Sequence, residues 1–368
     1  MTASDSTVFR VTDLCVSLHD ADAAARTMRN VPDDGCGVES PLWRPAIRGV
    51  SFEVNRGEVL SIVGESASGK TLSMYAAFRL LDPGAQATSG TVELFGQRVD
   101  AARGGEVVRK SGNTRRRGVP DDDDEWRQTV GSRVGFLFQD PIGSWTPHFT
   151  IGHQAGEALD EHTDLTPDEI ERRVRDALGE VKLPRRGFGA FAFLLSRGEA
   201  QRAMLAAAIV KAPDLLIADE PLTGLDSTSA ASVLALLRDM QDKRGMAMVF
   251  ITHDLALAAS FSDRIAIMYA GRLVETAPTQ ELMRRPRHPY TEGLIGALPM
   301  VGRDRLRPVR GSPPHLWHTA QGCSFAPRCD FTTEVCANVP PSVGVGEAAS
   351  VACWLRDELS LQGILAGL

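Results

Sequence analysis

The stretch Gly64-Glu65-Ser66-Ala67-Ser68-Gly69-Lys70-Thr71 reads G-x-x-x-x-G-K-[ST]. It directly follows the apolar run Val59-Leu60-Ser61-Ile62-Val63 and precedes a segment of helical periodicity over 72–81. Strand, glycine-rich loop and helix in that order predict a phosphate-binding loop. The glycines let backbone N–H groups close around phosphate oxygens, Lys70 reaches the β and γ phosphates, and the Thr71 hydroxyl suits Mg²⁺. The ligand this stretch predicts is a nucleoside triphosphate. The competing reading, an ordinary glycine-rich turn, would leave the flanking strand and helix coincidental.

About 150 residues downstream in round terms, Leu215-Leu216-Ile217-Ala218-Asp219-Glu220-Pro221 is a hydrophobic strand ending in two acids. A buried parallel strand is apolar throughout, and its carboxyl end is where acids meet bound phosphate. Asp219 is expected to hold Mg²⁺ through water and Glu220 to polarise the attacking water. On its own the pair also reads as a cap on the next element; beside a phosphate loop the catalytic reading is the better one.

Helices and strands alternate around these segments. Strands are expected at 8–18, 50–54, 91–95 and 134–138, with loops at 20–45 and 101–120. The charged insertion and the acidic run 121–125 after it read as solvated loop, or else as a docking patch, and 151–181 carries helical periodicity. Beyond residue 199 the expected order is helix to 210, strand 215–218, helix 227–241, strand 247–251, helix 255–261 and strand 264–268. That alternation predicts an α/β fold with a largely parallel sheet and its ligand at the carboxyl ends of the strands. Past Pro278 the chain turns rich in Pro, Arg and Cys, which places a boundary there.

A length of 368 residues suits one large domain with an appendage, or two domains. The net charge of −7 argues against nucleic acid as the main partner, because phosphate backbones are bound through basic surfaces. The apolar run 203–210 is far shorter than the roughly 18 residues that span a bilayer, so a cytoplasmic chain is expected. Of the cysteines, Cys323, Cys329, Cys336 and Cys353 crowd the end of the chain, which points to metal more than to disulfides.

Leu195-Ser196-Arg197-Gly198-Glu199-Ala200-Gln201-Arg202 resembles the signature of ABC ATPases. Phe138-Gln139-Asp140-Pro141 is similar to their Q-loop, Leu225-Asp226 to the D-loop, and Thr252-His253-Asp254 to the switch histidine. Five elements stand in the family's order. Finer resemblance, in Gly64-Glu65-Ser66, Arg287-His288-Pro289-Tyr290-Thr291 and Cys323-Ser324-Phe325-Ala326-Pro327-Arg328-Cys329, is to the ATP-binding subunits of oligopeptide, dipeptide and nickel ABC importers.

The resemblance implies a P-loop ABC nucleotide-binding domain, a RecA-like core plus helical subdomain, over 1–277. The helical subdomain falls at about 140–212, and a small Cys-rich C-terminal extension spans 278–368. It implies ATP and Mg²⁺, with Thr71, Gln139 and Asp219 around the metal and Lys70, Gln139, Glu220 and His253 as catalytic groups. Ser196, Gly198 and Asp226 are expected to contact nucleotide across a dimer. Trp43 is placed to stack on adenine, or is an ordinary surface or core Trp.

The four late cysteines are expected to hold a 4Fe-4S cluster, with Zn²⁺ second and free or paired thiols third. The implied partners are a second ABC ATPase subunit, two membrane permease subunits and an extracytoplasmic solute-binding protein, with no nucleic acid. The implied place is the cytoplasmic face of the membrane. The function is ATP hydrolysis driving uptake of peptides or a related small solute. The rival reading, a soluble ABC protein of DNA repair or translation, calls for coiled-coil insertions or a basic surface, and neither is visible. Two departures stand out: Arg197 replaces the signature's first glycine, and Ser144-Trp145-Thr146-Pro147 replaces the family's Ser-Leu-Asn-Pro.

Overall fold

The computed structural model describes residues 6–20, 43–102, 121–299, 307–314, 321–346 and 348–364. Most of the expected loop at 20–45 and insertion at 101–120 lie outside these. The described chain runs β1 (Thr7–His19), β2 (Trp43–Asn55), β3 (Val59–Val63), α1 (Lys70–Ala77), β4 (Ala85–Leu94) and β5 (Gln97–Asp100). It continues through α2 (Asp121–Arg133), β6 (Val134–Leu137), α3 (Ile151–His162), α4 (Pro167–Glu180), α5 (Arg197–Ile209), β7 (Leu215–Asp219), α6 (Ser227–Arg244) and β8 (Ala247–Thr252). It ends with α7 (Leu255–Phe261), β9 (Arg264–Tyr269), β10 (Arg272–Pro278), α8 (Thr279–Arg284), α9 (Pro289–Gly296), β11 (Val343–Gly344) and β12 (Ser350–Val351).

The chain divides into two compact units: 1–8, 54–58 and 105–251 form one, and 9–53, 59–104 and 252–368 the other. In the first, β6, β7 and β8 are parallel neighbours, with Val134 opposite Leu215 and Asp219 opposite Ile251. All five residues of β7 and all six of β8 are buried, as expected of parallel strands covered on both faces. Helices α3, α4 and α5 of this unit pack on one another.

In the second unit β3 pairs in parallel with β9, which pairs antiparallel with β10. The short β12 extends this sheet from the tail, with Glu275 opposite Val351. An antiparallel sheet in the order β2-β1-β4-β5 accompanies it. The core of this unit gathers Val63, Ile265, Ile267, Tyr269, Tyr290 and Phe325.

Three expectations change. The acidic run is not loop but opens α2, with Asp124 and Glu125 exposed on it. The segment 151–181 is two helices, because Thr166, Pro167 and Glu169 form a capping box with proline at the first helical position and restart the helix. The helix after the phosphate loop stops at Ala77 rather than Leu81; Arg79 takes a left-handed φ of 58° and ends it.

The Arg287-to-Thr291 segment has a structural role in this fold. His288 Nδ1 accepts the N–H of Tyr290 at 3.0 Å and caps α9, while Glu275 accepts the N–H groups of Arg287 and His288 at 2.8 and 2.9 Å. Both side chains are buried, which pushes the His288 imidazole down to about 3 and the Glu275 carboxyl up to about 7. His288 is therefore the neutral acceptor its cap requires.

A carboxyl raised on folding binds more protons folded than unfolded. Its contribution is full below about 4.5 and is lost as pH rises through about 7. The stability advantage of the protein over Glu275→Gln should shrink by about 2 kcal/mol between roughly pH 5 and pH 8. Paired denaturant titrations at the two pH values measure it, and a pH-independent difference would contradict the assignment.

Candidate nucleotide site

The phosphate loop follows the carboxyl end of β3, whose register with β9 sets Val63 opposite Ile267. Gly64 therefore lies so close to the Met268 carbonyl that a Cβ there would collide with it. Gly69, at φ 106°, packs in the same way against the Ile47 side chain, and Ala67 between them is left-handed at φ 60°. Glycine is required at both ends for conformation and close approach. Ser68 and Lys70 are buried, and the Lys70 ammonium donates to the carbonyls of Gly64 and Glu65 at 2.9 and 3.0 Å. Thr71 follows in the first turn of α1.

Glu65 carries an ion pair that spacing could not reveal. Arg328, 263 positions downstream, donates to its carboxylate at 2.6 and 3.0 Å, and the Glu65 N–H donates to the Tyr290 hydroxyl at 3.2 Å. Trp43, at the start of β2, meets the His19 ring edge-to-face at 5.2 Å.

In the other unit, Gln139 and Glu220 follow the carboxyl ends of the neighbouring strands β6 and β7. Gln139 is exposed, Asp219 is only 2 % exposed, and Glu220 is left-handed at φ 44°. The Glu220 N–H donates to the Ile251 carbonyl at 3.0 Å, and its carboxylate accepts the Thr223 hydroxyl at 2.9 Å. His253, which belongs to the unit of the phosphate loop, directly follows β8 and is exposed.

Ser196 caps α5 in a reciprocal capping box with Glu199, whose carboxyl the Ser196 N–H and hydroxyl hold below the usual range. Asp226 caps α6, accepting from the N–H groups of Thr228 and Ser229, each at 3.0 Å. Gly198 lies in the first turn of α5 near the Ser229 hydroxyl.

Arg197 turns onto its own chain. Its Nε donates to the Thr223 carbonyl at 3.3 Å, and the guanidinium fills the space a Cβ on Gly224 would need.

Cys323, Cys329, Cys336 and Cys353 line one small cavity together with His288. The Cys323 N–H donates to the Cys336 carbonyl at 2.9 Å, and Cys329 Sγ accepts the Phe331 N–H at 3.4 Å. Burial raises the thiols of Cys323 and Cys329 and pushes Cys353 up to about 11, so they stay protonated near neutral pH. The donor chemistry suits a thiolate-bound metal. Among the described residues, however, no three His, Cys, Asp or Glu side chains form a metal-holding group, so the geometry lends the 4Fe-4S expectation no support.

The sequence model of the ABC transporter family matches residues 47–223, and that of the oligopeptide/dipeptide transporter C-terminal region matches 274–336. A dipeptide transport ATP-binding protein, DppD of Bacillus subtilis, is 35% identical over 328 residues, 88% of this chain and 92% of its own. The chain belongs to the ABC transporter family, among its peptide-transport ATP-binding subunits. A putative peptide import ATP-binding protein of Brucella ovis is 38% identical over 86% of this chain and 93% of its own. The oligopeptide transport ATP-binding protein OppD of Mycobacterium tuberculosis is 39% identical over 85% of this chain but only 49% of its own length.

Among solved structures, a dimeric ATP-binding cassette described as a post-hydrolysis state with ADP and phosphate aligns with a TM-score of 0.56. It is 21% identical over 74% of this chain and 98% of its own. CbiO1 of Clostridium perfringens gives 0.54 at 22% identity over 75% and 90%. These two share the P-loop ABC α/β fold. The chain is an ABC ATPase.

Sequence reasoning missed Arg328, Tyr290 and Thr223. Arg328 and Tyr290 lay inside quoted motifs and Thr223 between two of them, but their partners are set by folding. The Arg197–Gly224 contact yields a test. Gly224→Ala should cost about 1–2 kcal/mol, since Gly224 is at φ 74° and faces the guanidinium, and less in an Arg197→Ala background. Urea denaturation of the four-member cycle measures it; equal costs in both backgrounds would show that the guanidinium does not occupy this place.

Proposed function

We propose that this chain is the ATP-hydrolysing subunit of an importer for peptides or a related small solute. The observation that carries the reading is the order of the chain itself: a cassette with an intact phosphate loop followed by a peptide-transporter C-terminal region over 274–336. The soluble DNA-repair or translation reading has no such counterpart.

Lys70 and the loop N–H groups bind the β and γ phosphates, and Thr71, Asp219 and Gln139 serve Mg²⁺. The buried Asp219 and the Thr71 hydroxyl are the oxygen donors that this hard cation takes. Bound there, magnesium neutralises phosphate charge. Glu220, its carboxylate oriented by the Thr223 hydroxyl, holds the attacking water, and His253 contacts the γ phosphate. Trp43 stacks on adenine. Ser196 and Gly198, at the N-terminus of α5, and Asp226 face the nucleotide of a second ATP-binding chain.

The partners are that second ATPase subunit, two membrane permease subunits and an extracytoplasmic solute-binding protein, with the chain on the cytoplasmic face. Attachment runs through the permease subunits; among the described residues no helix is long and apolar enough to cross a membrane. Residues 1–277 form the cassette, with its helical subdomain at about 140–212, and 278–368 the Cys-rich extension.

Glu220→Gln should keep ATP binding and lower hydrolysis on the order of a hundredfold or more, whereas Lys70→Ala should weaken binding itself. Nucleotide titration and phosphate release in the reconstituted importer separate the two. Near-normal turnover by Glu220→Gln would remove that carboxylate from the mechanism.

Cys323, Cys329, Cys336 and Cys353 are the proposed thiolate set for a 4Fe-4S cluster, with Zn²⁺ as the second option. Loading would replace the thiol protons and draw the four sulfurs together. Anaerobically purified protein should be brown, with broad absorption near about 400 nm that dithionite bleaches. Colourless protein with stoichiometric zinc would overturn the cluster in favour of zinc.

A further inference from the structure

Glu65 is an awkward residue for an anion-binding loop. A carboxylate beside bound triphosphate repels it, and a side chain free to rotate leaves the loop backbone less constrained. Both problems are met from the C-terminal segment.

Arg328 closes the single 3₁₀ turn Ala326–Arg328 between Cys323 and Cys329, and its side chain is only 5 % exposed. Nη1 and Nη2 grip the two oxygens of Glu65 at 2.6 and 3.0 Å as a bidentate fork. The fork is itself held: Nε donates to the Arg310 carbonyl at 2.6 Å, Nη2 to the Gly311 carbonyl at 3.3 Å, and Nη1 to the Tyr269 hydroxyl at 3.4 Å. On the other side of the same residue, the Glu65 N–H donates to the Tyr290 hydroxyl at 3.2 Å. With these donors engaged and the side chain buried, Arg328 acts through Glu65 rather than on phosphate directly.

We propose that Arg328 is a positioning residue for ATP binding: it neutralises Glu65 and fixes the phosphate loop from the segment between Cys323 and Cys329, so that the order of that segment sets nucleotide affinity. This rests on the phosphate loop being the nucleotide site. The coupling is reciprocal, so nucleotide also orders the segment.

The test uses the full-length chain for titration with a fluorescent ATP analogue and Mg²⁺, and the assembled importer for hydrolysis. Arg328→Ala should raise Kd and KM about tenfold while kcat stays within about threefold. Adding Glu65→Gln to Arg328→Ala should restore most of the affinity, because the charge to be neutralised is gone. A purely structural role predicts no such rescue. Arg328→Lys, which keeps the charge but not the fork, should lose about threefold and carries the test if the alanine variant does not fold.

Amide hydrogen exchange over 323–336 should slow on adding Mg-ATP in the wild type and not in Arg328→Ala. Unchanged Kd in both Arg328 variants, a fall in kcat at constant KM, no rescue by Glu65→Gln, or no nucleotide effect on wild-type exchange would each overturn the proposal. Lys70→Ala separates the two levels. If it binds as tightly as wild type, the nucleotide-site reading fails; if it binds weakly while Arg328→Ala is normal, only the role of Arg328 falls.

Discussion

A phosphate loop must hold several backbone N–H groups aimed at one place, in conformations most residues avoid, before any phosphate arrives to reward them. In this chain that constraint is met by the sheet. The β3–β9 register brings Gly64 against the Met268 carbonyl, and the far end of the loop is pinned where Gly69 abuts Ile47. A side chain at either position would push the loop away from its support. Lys70, which otherwise would bury an ammonium group at a cost, uses the loop's own carbonyls as acceptors. Cation and loop carbonyls therefore hold each other in place.

The strand-end acids follow a similar logic in the other unit. Asp219 is the last residue of a fully buried strand, and Glu220 escapes the strand through a left-handed turn that only a few non-glycine residues adopt. That turn is tied down twice, by the bond from the Glu220 N–H to Ile251 and by the Thr223 hydroxyl on the carboxylate. Arg197, bonded to the Thr223 carbonyl, links the start of the signature helix to the same loop. The arginine that replaces a signature glycine is thus matched by a glycine at 224, where any larger residue would meet the guanidinium.

What the sequence could and could not disclose divides along physical lines. The loop, the strand-end acids and the signature serine were legible because their chemistry fixes residue types at short spacings, and the parallel strands because burial on both faces makes them apolar throughout. The break at Thr166 was written in the chain as Thr-Pro-Asp-Glu, a capping box that outweighs the apolar periodicity running through it. The acidic run opening α2 misled because exposed charge without apolar periodicity reads as loop, whereas an exposed helix carries the same pattern. The tail strand β12 has two residues and no periodicity to read. The four cysteines were legible as a group, since the fold does gather them around one cavity, but spacing carries no information on how closely sulfurs converge. The Glu65–Arg328 pair was out of reach for the plainest reason: its partners are 263 positions apart, and only the completed fold brings them together.

That separation has a consequence for how the protein is made. At about 5–20 residues per second, the ribosome adds Glu65 roughly 13–53 seconds before it adds Arg328. Throughout that interval Glu65 has been synthesised without its counterion, so the emerging cassette carries its nucleotide motif without the clamp from the C-terminal segment. The clamp can close only once synthesis has passed Arg328, inside the thiol-bearing segment. A chain broken off upstream of Arg328 would display a complete phosphate-loop sequence yet lack the clamp, which makes the ion pair a marker, in the folded molecule, that translation has passed the turn Ala326–Arg328.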